Sequence, residues 1–221
     1  AARGGSASME IMDREVDPPV PFDADAGMRD QIVVLHGISW DQYVALNDAR
    51  GEGSHPRFAY LDGELEIMTT SERHELVKKM TARLVEAYAE EMNIALDGYG
   101  NTTWRKKAKL AGIEPDECYA IGRLRKVPDL ALEIVHTSGG IDKLELYRRL
   151  GVPEVWFWIN GRFYVYRLGL TYKEVANSVV LPKIDLDAIA RVIAATEPGE
   201  QTAMVRKYRQ ALRRATGSTS R

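Results

Sequence analysis

Residues 130–135 read LALEIV, five apolar residues and one glutamate with no alternation between polar and apolar positions. A strand turns successive side chains to opposite faces, so a run of this kind must be covered on both sides. Helices packed on the faces of a sheet supply that cover, which points to an α/β fold. The run also poses a chemical question. Glu133 lies between Leu132 and Ile134, where a carboxylate is costly unless it is paired or bound to a metal. Two proline-aspartate pairs stand just upstream, Pro115-Asp116 in GIEPDECYAI and Pro128-Asp129 in PDLALEIV. Proline cannot donate to a ladder and is tolerated where strands begin.

The rest of the chain fits one such domain. Its 221 residues are 45% hydrophobic, enough for a real core. Residues 1–30 are read as a disordered segment rich in Ala, Gly, Asp and Pro, residues 31–215 as the domain, and 216–221 as a flexible tail. Gln31–Leu35 is read as a short strand, and Ser39 caps a helix over WDQYVALNDAR. RFAYLDGELEIM is a hairpin turned by Asp62-Gly63, and EVWFWINGRFYVYRL one turned by Asn160-Gly161. TTSERHELVKKMTARLVEAYAEEM is read as a long helix, capped by Thr69 or Ser71, with Leu76, Val77, Met80, Leu84, Ala87 and Tyr88 on one stripe. TTWRKKAKL and GIEPDECYAI are read as two strands preceding DLALEIV. IDKLELYRRL is then a helix stopped by Gly151 and Pro153, and two helices close the chain.

Net charge of −2 selects no class of partner. Cys118 is the only cysteine, which excludes an intramolecular disulfide and fits a reducing compartment. No apolar run reaches the ~18 residues of a membrane span, and the first residues lack an apolar signal core. The expected address is the cytoplasm.

Which acids can share an ion follows from strand geometry. Asp129 and Glu133 lie four apart on one strand, ~13 Å between Cα atoms, too far for a common ligand sphere. Asp116 can meet Glu133 if their strands are neighbours, ~4.8 Å apart. Such a pair suits Mg²⁺, or Mn²⁺, which prefer oxygen ligands. A nearby cation would help phosphodiester chemistry. Val135 occupies the position two past Glu133, so Lys143 at the next helix start is the candidate, with Tyr147 one turn on. His74 is a candidate proton acceptor or phosphate contact. Glu64 and Glu75 compete for a third carboxylate, with Glu64 preferred. Arg105 and Lys107 in one basic cluster, and Arg123 and Lys126 in another, are candidate contacts to a nucleic-acid backbone, against the alternative of solvated strand edges. A third cluster, Arg206 to Arg214, reads as a solvated helix face.

YLDGELEIM, SERHE, TTWR, EPDECY and PDLALEIVHTSGGIDKLELYRRLGVPEVWFW, in that order and spacing, resemble the Uma-two family, a restriction-endonuclease group of the PD-(D/E)XK nuclease superfamily. The resemblance runs from about Ser39 to Pro182. It implies an αβββαβ core with a mixed sheet flanked by helices, an extra N-terminal helix and hairpin, and extra C-terminal helices. It also implies Asp116 and Glu133 as the motif acids, with the motif lysine moved from position 135 to Lys143. The expected function is metal-dependent endonucleolytic cleavage, chiefly of DNA, with RNA or a small nucleotide as other substrates. The alternative is an inactive nuclease fold that binds nucleic acid or protein. A homodimer through aromatic residues of the second hairpin is also expected.

Overall fold

The computed structural model describes residues 29–51, 53, 55–124, 126–135 and 140–217. Two sheets are stacked between helices. The first is antiparallel throughout, in the order β1-β3-β2-β6-β5: β1 (Gln31–Leu35), β2 (Arg57–Leu61), β3 (Glu64–Thr69), β5 (Trp104–Lys106) and β6 (Ala111–Ile113). The second has the order β11-β10-β9-β8-β7-β4: β4 (Leu96–Gly98), β7 (Glu117–Ile121), β8 (Leu130–Val135), β9 (Glu154–Ile159), β10 (Arg162–Leu168) and β11 (Tyr172–Val175). Its one parallel pair is β8 with β9, joined through helix α3 (Lys143–Leu150). Helices α1 (Trp40–Arg50), α2 (Glu72–Glu91), α4 (Leu186–Ala194) and α5 (Gln201–Gly217) complete the fold. None of the described helices is long and apolar enough to cross a membrane.

Local chemistry explains the element ends. Ser39 and Gln42 form a reciprocal capping box on α1, and Ser71, not Thr69, caps α2 by accepting from His74 N–H at 3.2 Å. Asp62-Gly63 and Asn160-Gly161 all have positive φ, the geometry of a two-residue hairpin turn. Gly112 permits close packing of β6 on α1, because a Cβ there would strike the phenol ring of Tyr43.

Alternation along β8 separates two cores. Leu130, Leu132 and Ile134 join Met80, Leu84, Tyr88, Trp156 and Ile189 under α2, α4 and α5. Ala131 faces the other way, with Val155, Phe157, Leu146 and Tyr147, toward α3 and the first sheet. Tyr43, Phe58, Tyr60 and Leu65 form a third cluster beneath α1. The tryptophans of the second hairpin, Trp156 and Trp158, are buried in their own domain.

The order α2-β4-β7-β8-α3-β9 is the αβββαβ core expected of the chain. Its first strand is not where the sequence pattern put it. The short β4 fills that place, while TTWRKKAKL and the start of GIEPDECYAI form β5, a 3₁₀ turn and β6 in the other sheet. Leu110 in a left-handed conformation ends the turn between them. The expected mixed sheet is there, and a second, antiparallel sheet lies beside it. α5 runs through Gly217, so residues 216 and 217 of the expected tail are helical, and the C-terminal face expected to be solvated is in part a clamp. Arg209 pairs with Glu90 and Glu91, and Arg213 with Glu91, locking α5 to the end of α2. Residues 1–28 of the expected disordered segment lie outside the described residues, but Asp30 is buried.

Candidate active site

The inner faces of the two sheets meet at a buried group of charges. On β3, Glu66 has the same facing as Met68 and is paired with Ala59 of β2; Arg57 lies two residues before Ala59 on that same inner face. From the second sheet comes Glu133, in register with Phe157 of the inner core. Asp116 directly precedes β7. Since Glu117 is the partner of Leu132, the antiparallel register sets Asp116 beside Glu133. The side chain of Asp116 also accepts a hydrogen bond from Ile134 N–H at 2.6 Å, which ties it to β8.

Lys143 and Tyr147, one turn apart on α3, reach the same carboxylate. The ammonium of Lys143 donates to Glu133 Oε2 at 2.7 Å, and the Tyr147 hydroxyl donates to Oε1. Glu66 Oε1 lies 3.9 Å from the same ammonium. Burial works against the Lys143 charge, but Glu133 and Glu66 outweigh it and hold the pKa above its ordinary value. Burial, reinforced by Glu133, drives the phenol of Tyr147 well above its usual range. Glu66 is fixed by Ile141 N–H at 3.0 Å. Gly140, at φ +98°, allows that approach, because a Cβ there would collide with the Glu66 carboxylate.

A second chain of contacts orients Asp116. His74 bonds it through Nε2 at 2.7 Å and bonds Asp30 through Nδ1 at 2.8 Å. Asp30 also accepts from Ser71 N–H at 2.8 Å. Burial opposes the Asp30 charge, yet His74 and Ser71 hold its pKa below normal. The guanidinium of Arg57 lies against Asp116 and donates to Glu75 at 3.0 Å.

The sequence candidates Asp116, Glu133, Lys143, Tyr147 and His74 therefore share one site. Glu64 does not enter it. It stands at the turn end of β3, half exposed and paired with His36 at 3.1 Å, while Glu66 two residues on faces the charges. Glu75 reaches the site through Arg57. Arg57, Glu66 and Asp30 were missed. The reasoning that selected Glu133, a glutamate between apolar strand residues, applies equally to Glu66 between Leu65 and Ile67. Asp30 gave no such signal, standing between Arg29 and Gln31 just ahead of the first strand.

The proposed nucleic-acid contacts lie elsewhere. Arg105 and Lys107 pair with Asp48 and Asp41 on α1, beyond the far side of the first sheet. Arg123 and Lys126 are exposed in the β7–β8 connection, roughly 20 Å along the strand from Asp116. Their placement follows from strand direction: the basic loops join the strand ends opposite the acids.

Charge balance decides what the site can accept. Asp30, Glu66, Asp116 and Glu133 are each at most 3% exposed at the side chain, against two cations, the buried Arg57 and the partly exposed Lys143. Two formal negative charges remain in excess before His74 is counted. Among the described residues no group of three or more His, Cys, Asp or Glu is arranged to cage a metal. Mg²⁺, however, is commonly held by one or two carboxylates, with waters and substrate phosphate completing its shell. A carboxylate has about four acceptor positions. Asp116 uses two in hydrogen bonds, besides its contact with Arg57, and Glu133 uses two, so both keep capacity for a hard cation.

The sequence pattern of the Uma2 (Uma-two) family, described as "Putative restriction endonuclease", matches residues 40–192. The chain belongs to the Uma2 family. The match takes in every charged group of the site except Asp30. Among solved structures the chain is similar to a "putative nuclease belonging to DUF820" from Anabaena variabilis, at 13% identity and a TM-score of 0.47, covering 76% of this chain and 99% of the other. No curated protein matches it.

Proposed function

We propose that this Uma2 protein is a divalent-metal-dependent endonuclease that hydrolyses phosphodiester bonds in DNA. The observation that carries the reading is the buried excess of carboxylate charge beside a lysine at 2.7 Å from Glu133. Burying that much charge is costly for stability alone. It makes sense where a cation and a phosphate are to be bound.

Asp116 and Glu133 would hold the ion, with Glu66 adding negative charge behind Lys143. When bound, a divalent ion supplies Lewis acidity at a phosphoryl oxygen and activates a water. Lys143 places a fixed positive charge where negative charge develops on the phosphorane-like transition state, in surroundings largely shielded from solvent. Tyr147 fixes the orientation of Glu133, and His74 with Asp30 that of Asp116. Arg57 bears the charge of Asp116 and orients Glu75. A cytoplasmic location and a homodimer belong to the same reading.

The test is nicking of supercoiled plasmid by the purified chain with Mg²⁺, Mn²⁺ or EDTA. The expected result is metal-dependent cleavage, lost in Glu133→Gln and Lys143→Met and in chelator. Cleavage retained by folded Glu133→Gln would overturn the assignment. DNA binding with no cleavage under any metal would leave a binding module in its place. Alanine at Asp116 or Glu133 is the poorer test, because each would take a buried charge partner from Arg57 or Lys143 and leave a hole in its place.

A further inference from the structure

Beside Lys143 the two sheets part to leave a cavity of about 290 Å³. It lies at the carboxyl ends of the parallel strands β8 and β9 and at the start of α3, the place where α/β sheets tend to bind ligands. Its polar groups include Lys143 and Glu66 of the proposed site. Asp30 and Asp142 add two more carboxylates to the lining, and the remaining walls are apolar or aromatic, chiefly Met68, Val135, Leu144, Phe157, Ile159 and Tyr166. Phe157 and Tyr166 meet edge to face, with centroids 5.7 Å apart. Val135, Leu144, Ile159 and Tyr166 are each only half-buried, so this concave apolar surface is left facing water.

The chemistry of the walls restricts the occupant. A phosphate would lose its hydration there in exchange for one lysine already engaged by Glu133. A base pair is too large for the space. A single planar heterocycle fits both the volume and the aromatic wall, and can reach the cavity while its own backbone phosphate lies at the acids. We infer that the cavity is a subsite for one unstacked nucleobase of the strand bound at the active site. The inference rests on the nuclease reading and deepens it: the substrate presents a base that is single-stranded or turned out of its duplex.

The test compares two short single-stranded oligodeoxynucleotides of equal length, one natural and one with several abasic sugars. Binding to the full chain is measured by fluorescence anisotropy with Ca²⁺ replacing Mg²⁺, and the strands are checked on gels for integrity. Stacking of a base on an aromatic side chain gives a preference of about fivefold or more for the natural strand. Val135→Trp, which fills the cavity from its rim, should abolish the preference while leaving affinity for the abasic strand unchanged. Tyr166→Ala, which removes the aromatic wall, should reduce it. Equal binding of both strands, or a preference untouched by either variant, overturns the subsite. Equal binding together with metal-dependent cleavage overturns the subsite alone. A cavity-dependent preference without cleavage under any metal supports the subsite and overturns the nuclease reading. Failure of both strands to bind overturns the subsite, while plasmid nicking decides the nuclease reading separately.

Discussion

The pairing of Lys143 with Glu133 makes a quantitative prediction that needs no substrate. The two charges approach to 2.7 Å, Glu133 being 1% and Lys143 16% exposed. At an effective dielectric of about 20 such a pair attracts by about 6 kcal/mol, and desolvation takes back much of that. Lys143→Met leaves Glu133 buried with Tyr147 as its only side-chain donor among the described residues, and should cost about 3–5 kcal/mol. For a domain of this size that lowers Tm by about 6–20 °C. Glu133→Gln should cost less, because Lys143 keeps Glu66 and some solvent. The double variant should cost less than the two single losses together, giving a coupling of about 2–4 kcal/mol in a double-mutant cycle. The sign against pH is also fixed. The Lys143 pKa is raised on folding, so its contribution is complete below the unfolded value of about 10.4 and disappears as pH climbs through the folded value. Urea denaturation between pH 8 and 11 should therefore weaken the parent protein more steeply than Lys143→Met. Additive single losses, with coupling under about 0.5 kcal/mol, would refute the buried ion pair.

Three other outcomes follow from the described contacts. Glu91 has its pKa held down to about 2 by Arg213 and Arg209, so its contribution should be present above the unfolded value of about 4.3 and vanish as pH falls toward 2. An acid titration of stability that is unchanged by replacing both arginines with glutamine would contradict this. Cys118 is fully buried and its thiol is pushed up to about 12 by burial, so at pH 8 a thiol reagent should react only as fast as the protein opens. Rapid labelling of the native chain would show the thiol to be accessible. Gly140→Ala should destabilise the protein by at least about 1 kcal/mol in urea denaturation, through its positive φ and the clash with Glu66. An unchanged midpoint would mean that Glu66 is not held there.

What could be read in advance was what repeats within a few residues. Asp62-Gly63, Asn160-Gly161, the Ser39 cap and the run from β8 through α3 to β9 each have a local signature. The same holds for Glu133, Lys143 and Tyr147, because one strand and the helix after it bring them together. Strand β4 has three residues, too few for any period to emerge, and its place in the sheet is set by pairing with β7. The transfer of β5 and β6 to the first sheet depends on Ala59 meeting Ile113 across more than fifty residues. Arg57, Glu66 and Asp30 join the site only because that sheet packs on the other. No local pattern announces such a meeting, although each has a buried charge that calls for a partner.

The passage from β6 to β7 has a mechanical consequence. Within three residues the chain is anchored twice: Glu114 grips Arg50 and Thr103 on the side of the first sheet, and Asp116 is hooked to the backbone of β8. Pro115 stands between these anchors, leaving little slack. Any sliding of one sheet over the other would drag the aspartate with it, so the spacing of the acids is set by how firmly the two halves of the molecule are seated together.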